Sequence, residues 1–182
     1  FHATSAVEAK GLQEFDFNLR RVVEIPNGVD IPQDYAEAAL SEDVAEIVAR
    51  GGYVLFFGRI NWKKGLDRLL EAWRGREQRL VIAGNDEDGY LEELQGLAVA
   101  LGVGNVVFIA RSVGGGDREA LYQHATLFVL PSYSENFGNT VLEAMARCVP
   151  VLVTEEVGAA DVVRAAGGGL VVSAENYGDA LS

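Results

Sequence analysis

One cysteine, one methionine, two histidines and four prolines are all that this 182-residue chain holds of those types. With Cys148 alone there is no disulfide framework, which fits a reducing, cytoplasmic setting. His2 and His124 stand far apart, and no His/Cys cluster has the spacing of a zinc site. No apolar run approaches membrane-spanning length, and nothing resembles a signal peptide. Positive charge is also short: 15 Lys and Arg against 27 Asp and Glu leave a net charge of −12, which argues against a general nucleic-acid binder. Neither G-x-G-x-x-G nor G-x-x-x-x-G-K-[ST] is present, so both common nucleotide fingerprints fail. There is no internal repeat and no low-complexity tract. The chain begins at Phe1 rather than Met, and reads as a fragment or processed product.

What remains is a glycine-rich, half-apolar chain: 21 glycines and 49% hydrophobic residues suit one well-packed domain with many tight turns. From residue 53 onward, short apolar runs alternate with helical spacings. The runs are Tyr53–Phe57, Leu80–Ala83, Val106–Ile109, Leu127–Leu130, Val151–Val153 and Leu170–Val172. Near-continuous apolar strands suit a parallel sheet covered on both faces. Leu66–Trp73 and Tyr90–Leu101 carry apolar residues at helical spacing, and Asp117–His124, Asn139–Arg147 and Ala159–Ala166 predict further helices. The fold class is therefore α/β: an open, mostly parallel, Rossmann-like sheet with helices on both faces and right-handed crossovers. Earlier, Thr4 or Ser5 can cap a short helix over Ala6–Lys10, a strand follows near Arg21–Glu24, and Ser41–Arg50 predicts a helix. The turn cluster Ile25–Asp30 marks a boundary.

Ligands of such sheets sit at the carboxyl ends of the strands. The first strand exits into Gly58-Arg59-Ile60-Asn61-Trp62-Lys63-Lys64-Gly65, where Gly58 permits close approach and Arg59 and Lys64 bracket a turn suited to a diphosphate. Residues 59–79 hold seven cations against three carboxylates in an otherwise acidic chain. Arg68, Arg74, Arg76 and Arg79 read as a solvated helix face. The most informative stretch is residues 131–146, PSYSENFGNTVLEAMA, which runs from a loop through Gly138 into a helix. Free amides near Gly138, Asn139 and Thr140 suit an anionic group. Glu143 lies among Val141, Leu142, Ala144, Met145 and Ala146, where an unpaired carboxylate is costly, so it needs a hydrogen-bonding partner or a ligand. The alternative is a surface pair with Arg147, four residues on. Glu135, beside Asn136 and Phe137, is either solvated or part of the site. Cys148 reads as a small buried apolar side chain, His124 as a helix end, and Gly114-Gly115-Gly116 as a loop or connector.

These stretches together resemble the C-terminal, donor-binding half of GT-B glycosyltransferases, specifically the retaining family 4, or group 1, transferases. Gly58-Arg59 with Lys64-Gly65 resembles the family's G-R…K-G pair. Glu135 through Glu143 resembles its E-x7-E signature, including Phe137-Gly138 and Glu143-Ala144-Met145, and Pro150-Val151 follows where a P-V pair is usual. Ile25–Asp30 resembles the passage into the second domain. The resemblance implies that residues 1–24 are a remnant of a preceding acceptor domain, and that 25–182 form the nucleotide-sugar domain with its final segment truncated. It implies a hexosyl- or related transferase taking a UDP-, GDP- or ADP-sugar, with no cofactor and no metal. The acceptor would be a glycan or lipid-linked molecule held through the missing N-terminal domain. The enzyme would be cytoplasmic or peripheral at the cytoplasmic face of the membrane. Gly58, Arg59 and Lys64 would meet the diphosphate, Glu135 with Asn136 and Phe137 the sugar, Gly138, Asn139 and Thr140 the phosphates or sugar, and Glu143 the ribose. Arg111 would frame the base. Glu135, Arg59 and Lys64 would serve catalysis. The isolated fragment would bind nucleotide but transfer little sugar. Departures are Cys148 where glycine is usual, Val157-Gly158 for a G-G pair, Asp161 for Glu, Thr126 for Asp and the Asn85-Asp86 turn. Two other readings stay open: another GT-B enzyme such as a nucleotide-sugar epimerase, and a non-catalytic interaction domain with a vestigial pocket.

Overall fold

The structure, a computed structural model, describes residues 1–14, 21–32 and 39–181. Six strands form one all-parallel sheet: β3 (Tyr53–Phe57), β4 (Arg79–Ala83), β5 (Val106–Ile109), β6 (Ala125–Leu130), β7 (Val151–Thr154) and β8 (Gly169–Val172), in spatial order β5-β4-β3-β6-β7-β8. The two central strands are buried because they carry side chains such as Leu55, Phe56, Phe128 and Val129 to both faces, each contributing about 1.5–3 kcal/mol of apolar burial. Leu55 stands opposite Val81 on one side and Phe128 on the other, and the β3–β6 register shifts by one residue between Tyr53 and Val54.

Between the strands lie α3 (Leu66–Ala72), α4 (Tyr90–Leu101), α5 (Gly115–Gln123), α6 (Asn139–Met145) and α7 (Ala160–Ala166), with α2 (Glu42–Ala49) before them and α8 (Tyr177–Ala180) after. The strand order runs outward from β3 to β5, then restarts at β6 on the other side of β3. Right-handed crossovers therefore send α3 and α4 to one face, and α6 and α7 to the other. The helices of the reading above are all found, with ends shifted by a residue or two, except that the first, expected over Ala6–Lys10, runs on to Glu14. Ser41 and Arg50, expected inside α2, are its caps.

Ahead of the sheet, β1 (His2–Ala3), α1 (Ala6–Glu14) and β2 (Val23–Glu24) form a small parallel pair bridged by a helix. Ser5 caps α1: its Oγ accepts the Glu8 amide at 3.1 Å. Part of the expected leading segment, residues 15–20, lies outside the described residues.

Two expectations are corrected. Arg68, Arg76 and Arg79 are not a solvated face. Arg76 donates to the carbonyls of Ala72, Gly178 and Leu181, binding the end of α8 to α3. Arg79 donates to Ile47 and Gly51, closing the end of α2 onto β4, and Arg68 reaches Pro131 O at 3.3 Å. Helix ends expose carbonyls with no intrahelical donor, and arginine satisfies several at once. Only Arg74 of the four is exposed. Cys148 is exposed rather than buried, with φ 58° just past the end of α6. A left-handed residue after a helix is the reason glycine suits that position.

Candidate functional site

β3 and β6 are neighbours, yet the chain leaves them toward opposite faces, which opens a crevice beyond their carboxyl ends. Two loops meet there. The first, residues 58–65, is stitched to the loop after β4: Ile60 N–H donates to Asn85 O at 2.7 Å, and Glu87 N–H to Ile60 O at 2.9 Å. It ends in a 3-10 turn, Trp62–Lys64, and a left-handed Gly65 (φ 65°). A Cβ on Gly65 would stand 2.1 Å from Pro131 O, so only glycine lets the two loops approach so closely. Tyr133 N–H then donates to Lys63 O at 2.8 Å. The result is a direct ion pair between Lys64 and Glu135, with side chains only 14% and 17% exposed. Glu135, which the sequence left between solvent and site, belongs to the crevice.

Arg59 is differently held. Its guanidinium is 66% exposed and donates to Glu87 at 2.9 Å. Asn61 donates to the other oxygen of Glu87, also at 2.9 Å. Asn61 first and Arg59 second hold the Glu87 carboxyl below the ordinary carboxylate range. Gly58 completes the loop with its carbonyl 1.9 Å from where a Cβ on Gly84 would stand.

The second loop is braced from behind by residues 155–159. Glu135 O accepts from Gly158 N–H at 2.9 Å, and Phe137 O from Ala159 N–H at 2.7 Å. Gly158 has no room for a side chain, since a Cβ would stand 1.9 Å from Asn136 O. Phe137 is in the core, so only its backbone reaches the crevice. Asn136 has an exposed side chain, and its carbonyl accepts the Ser5 hydroxyl at 2.5 Å. Gly138 (φ 90°) turns the chain into α6, where Asn139 Oδ1 accepts from Asn27 at 2.9 Å. The early amides of α6, at Asn139 and Thr140, have no intrahelical acceptor.

Glu143 accepts a hydrogen bond from the Tyr122 hydroxyl at 3.0 Å, and Arg118 Nη1 is 4.0 Å from its other oxygen. Arg147 does not pair with its carboxylate. It donates to the Glu143 carbonyl at 2.8 Å and is committed to Glu119 at 2.6 and 2.7 Å, in a pair 5% and 10% exposed. Burial decides this choice, because Arg147 lies inward, stacked 5.1 Å over the Tyr122 ring.

Arg111 stands apart from these groups. It follows β5, two strand spacings or about 10 Å from β3. Its guanidinium is held by Asp43 at 2.7 Å, Asp117 at 3.1 Å and Ser41 Oγ at 2.6 Å. Arg111 and Ser41 pull the Asp43 carboxyl down to about 2. His124 is the C-cap of α5, as its reading as a helix end implied, and Gly114 is the N-cap, with Gly115 and Gly116 opening the helix rather than forming a loop.

Tyr122, Glu119 and Glu87 were not singled out from the sequence, and Ser5 and Asn27 were read only as a helix cap and part of a turn. Tyr122 carried one usable signal: a tyrosine deep in a helix–strand unit needs a partner for its hydroxyl.

Comparisons with known proteins agree on one family. Residues 41–181 match the family described as Glycosyl transferases group 1. The chain is 34% identical over 181 residues to a D-inositol 3-phosphate glycosyltransferase of Actinosynnema mirum, covering 89% of this chain and 43% of that protein. It is 35% identical over 128 residues to an uncharacterized glycosyltransferase of Methanocaldococcus jannaschii, covering 68% and 32%. The crystal structure of WaaG, a glycosyltransferase involved in lipopolysaccharide biosynthesis, superposes with a TM-score of 0.77 at 26% identity, over 99% of this chain and 52% of that one. The chain thus spans well under half the length of these two curated relatives.

Proposed function

The chain belongs to the group 1 glycosyl transferases, and from that premise we propose that residues 25–182 are the donor-binding part of an enzyme that moves a sugar from a nucleoside-diphosphate sugar to a glycan or lipid-linked acceptor. The observation that carries the reading is the contact of Lys64 with Glu135 across the crevice at the switch in strand order. A cation for the leaving group and a carboxylate for the sugar then lie side by side.

In this reading Arg59 and Lys64 exchange Glu87 and Glu135 for the donor diphosphate. As the bond between the sugar's anomeric carbon and the β-phosphate oxygen breaks, negative charge grows on that oxygen. The two cations and the amides of Asn139 and Thr140 stabilise it, an electrostatic contribution aimed at the transition state. Gly58 lets the diphosphate approach the backbone. Glu135, released from Lys64, faces the transferred sugar together with Asn136 and the backbone of Phe137 and Gly138. Glu143 accepts from the ribose hydroxyls. Arg111 frames the base end through the loop it anchors, since its guanidinium is already committed to Asp43 and Asp117. Transfer proceeds with retention of configuration, and the cations of the chain serve where other transferases use a metal.

The acceptor hydroxyl comes from the side of a preceding domain, of which residues 1–24 are the end. A cavity of about 420 Å³ between α1 and the second loop is lined by Lys10, Gly11, Ser134 and Asn136 among others, and in this reading the acceptor approaches from that side. The enzyme works in the cytoplasm or at its membrane face; no described helix is long and apolar enough to cross a membrane.

Titration calorimetry with UDP, GDP and ADP tests the reading. One of the three is expected to bind residues 1–182 at micromolar to millimolar concentration, with little sugar transfer by the fragment. Absence of heat with all three at millimolar concentration overturns it. Full-length protein incubated with donor and no acceptor should leave the donor intact, whereas an epimerase would consume it.

A further inference from the structure

Tyr122 sits at the end of α5, fully buried, with its ring 5.3 Å from Phe57 and 5.9 Å from Phe128. Phe57 is the residue from which the cation loop departs, and Arg147 closes the ring from another side at 5.1 Å. The hydroxyl is thereby fixed, 3.0 Å from Glu143 Oε2 and 3.5 Å from Thr140 O. Burial first, then the charge of Glu143, push its ionisation far above the ordinary tyrosine range, so it keeps its proton and acts as a donor. Glu143 Oε1, by contrast, accepts no hydrogen bond among the described residues; its closest cation is Arg118 Nη1 at 4.0 Å. One oxygen is tied and the other is left free to accept.

We propose that Tyr122 is a positioning residue: by holding Oε2 of Glu143 it aims Oε1 at a ribose hydroxyl of the bound nucleotide. The inference rests on the role given to Glu143 above. A carboxylate on a three-bond side chain samples several orientations, and a closer pair with Arg118 is a competing one. Tyr122 removes that freedom before the ligand arrives, which raises affinity by lowering the ordering cost of binding. Its effect must then be confined to ligands that carry the ribose hydroxyls.

Tyr122→Phe isolates the claim, because it deletes one oxygen and keeps the ring that packs on Phe57, Phe128 and Arg147. Glu143 is partly exposed, so water replaces the lost donor and the variant folds. Calorimetry would compare the tightest binder among UDP, GDP and ADP with its 2′,3′-dideoxy counterpart, on wild type, Y122F and E143A. The wild type should prefer the ribonucleotide. Y122F should lose about tenfold in ribonucleotide affinity while keeping the dideoxy affinity, as expected for a hydrogen bond to a charged group. E143A should show the same collapse of preference or a larger one. A Y122F protein that keeps the full preference overturns the role of Tyr122 and leaves Glu143's role standing. An equal loss for both ligands marks a packing role and likewise overturns it. A wild type with no preference overturns the role of Glu143 and this inference with it.

Discussion

The two sides of the crevice hold their charges in different ways. On the β3 side, Arg59 pairs with Glu87 at the surface, whereas Lys64 pairs with Glu135 deeper in the crevice, where both side chains are mostly buried. On the α6 side, Glu143 is tied to a buried tyrosine, and beneath it Glu119 and Arg147 form a pair almost closed to water. Exposed pairs contribute little to stability, whereas removing one partner of a buried pair leaves an uncompensated charge. The Arg59 pair is therefore built to exchange partners, and the Glu119–Arg147 pair to stay put. A site that must take up and release a charged ligand needs both: mobile counter-charge, and a fixed reference against which the ligand is oriented.

The contrast can be broken most forcefully from its rigid side. Arg147→Ala removes the closer of the two cations on the buried Glu119, which keeps Arg118 at 3.2 Å, and should cost about 3 kcal/mol of stability, read from urea unfolding. A loss under 1 kcal/mol would show that this pair is no more fixed than that of Arg59. The complementary experiment is Lys64→Ala, or Arg59→Ala. Each should weaken nucleoside diphosphate binding by about 1.5–3 kcal/mol in calorimetry. The unfolding midpoint should scarcely move for Arg59→Ala, whereas Lys64→Ala also strips the mostly buried Glu135 of its cation and should lower it. Unchanged affinity in either variant defeats the role given to that cation. Gly65→Ala attacks the junction between the sides. Its Cβ would meet Pro131 O in a left-handed backbone, a strain of about 1–3 kcal/mol, and opening the junction should separate Lys64 from Glu135 and weaken nucleotide binding as well. A variant that binds and unfolds like the wild type would show that the junction tolerates opening.

The smallest effect belongs to acid. The Asp43 carboxyl is held at about 2, below its ordinary value of 3.8, so the folded state binds its proton less readily than the unfolded chain. Its stabilising contribution is full above pH 4 and is lost as pH falls toward 2. Thermal unfolding of Asp43→Asn against wild type should show a difference at pH 6 that shrinks by pH 2. A difference that persists there would assign it to packing rather than charge.

Much of the fold was legible because parallel strands buried on two faces leave near-continuous apolar runs, and the helices between them keep a single apolar stripe. The crevice was legible where chemistry depends on local spacing: Gly58-Arg59, Lys64-Gly65 and the Glu135-to-Glu143 interval. The partners of those residues were not. Arg147 looked like the counter-ion of Glu143 at helical spacing, yet it turns inward to Glu119, 28 residues earlier. Cys148 looked buried by its chemistry, but the left-handed turn past α6 turns it outward. Arg76 and Arg79 looked solvated, and instead tie up backbone carbonyls from remote segments.

From the order of its residues alone this chain determined its elements, its parallel α/β architecture and the loops that carry cations and carboxylates, because each depends on neighbours within a turn or two of chain. Tertiary structure alone decided which carboxylate meets which cation, that Ser5 and Asn27 reach back to the second loop, and that Tyr122 stands behind Glu143. Those contacts join residues separated by 21 to 131 positions, and such pairings are set by how helices and strands stack, which no local pattern encodes.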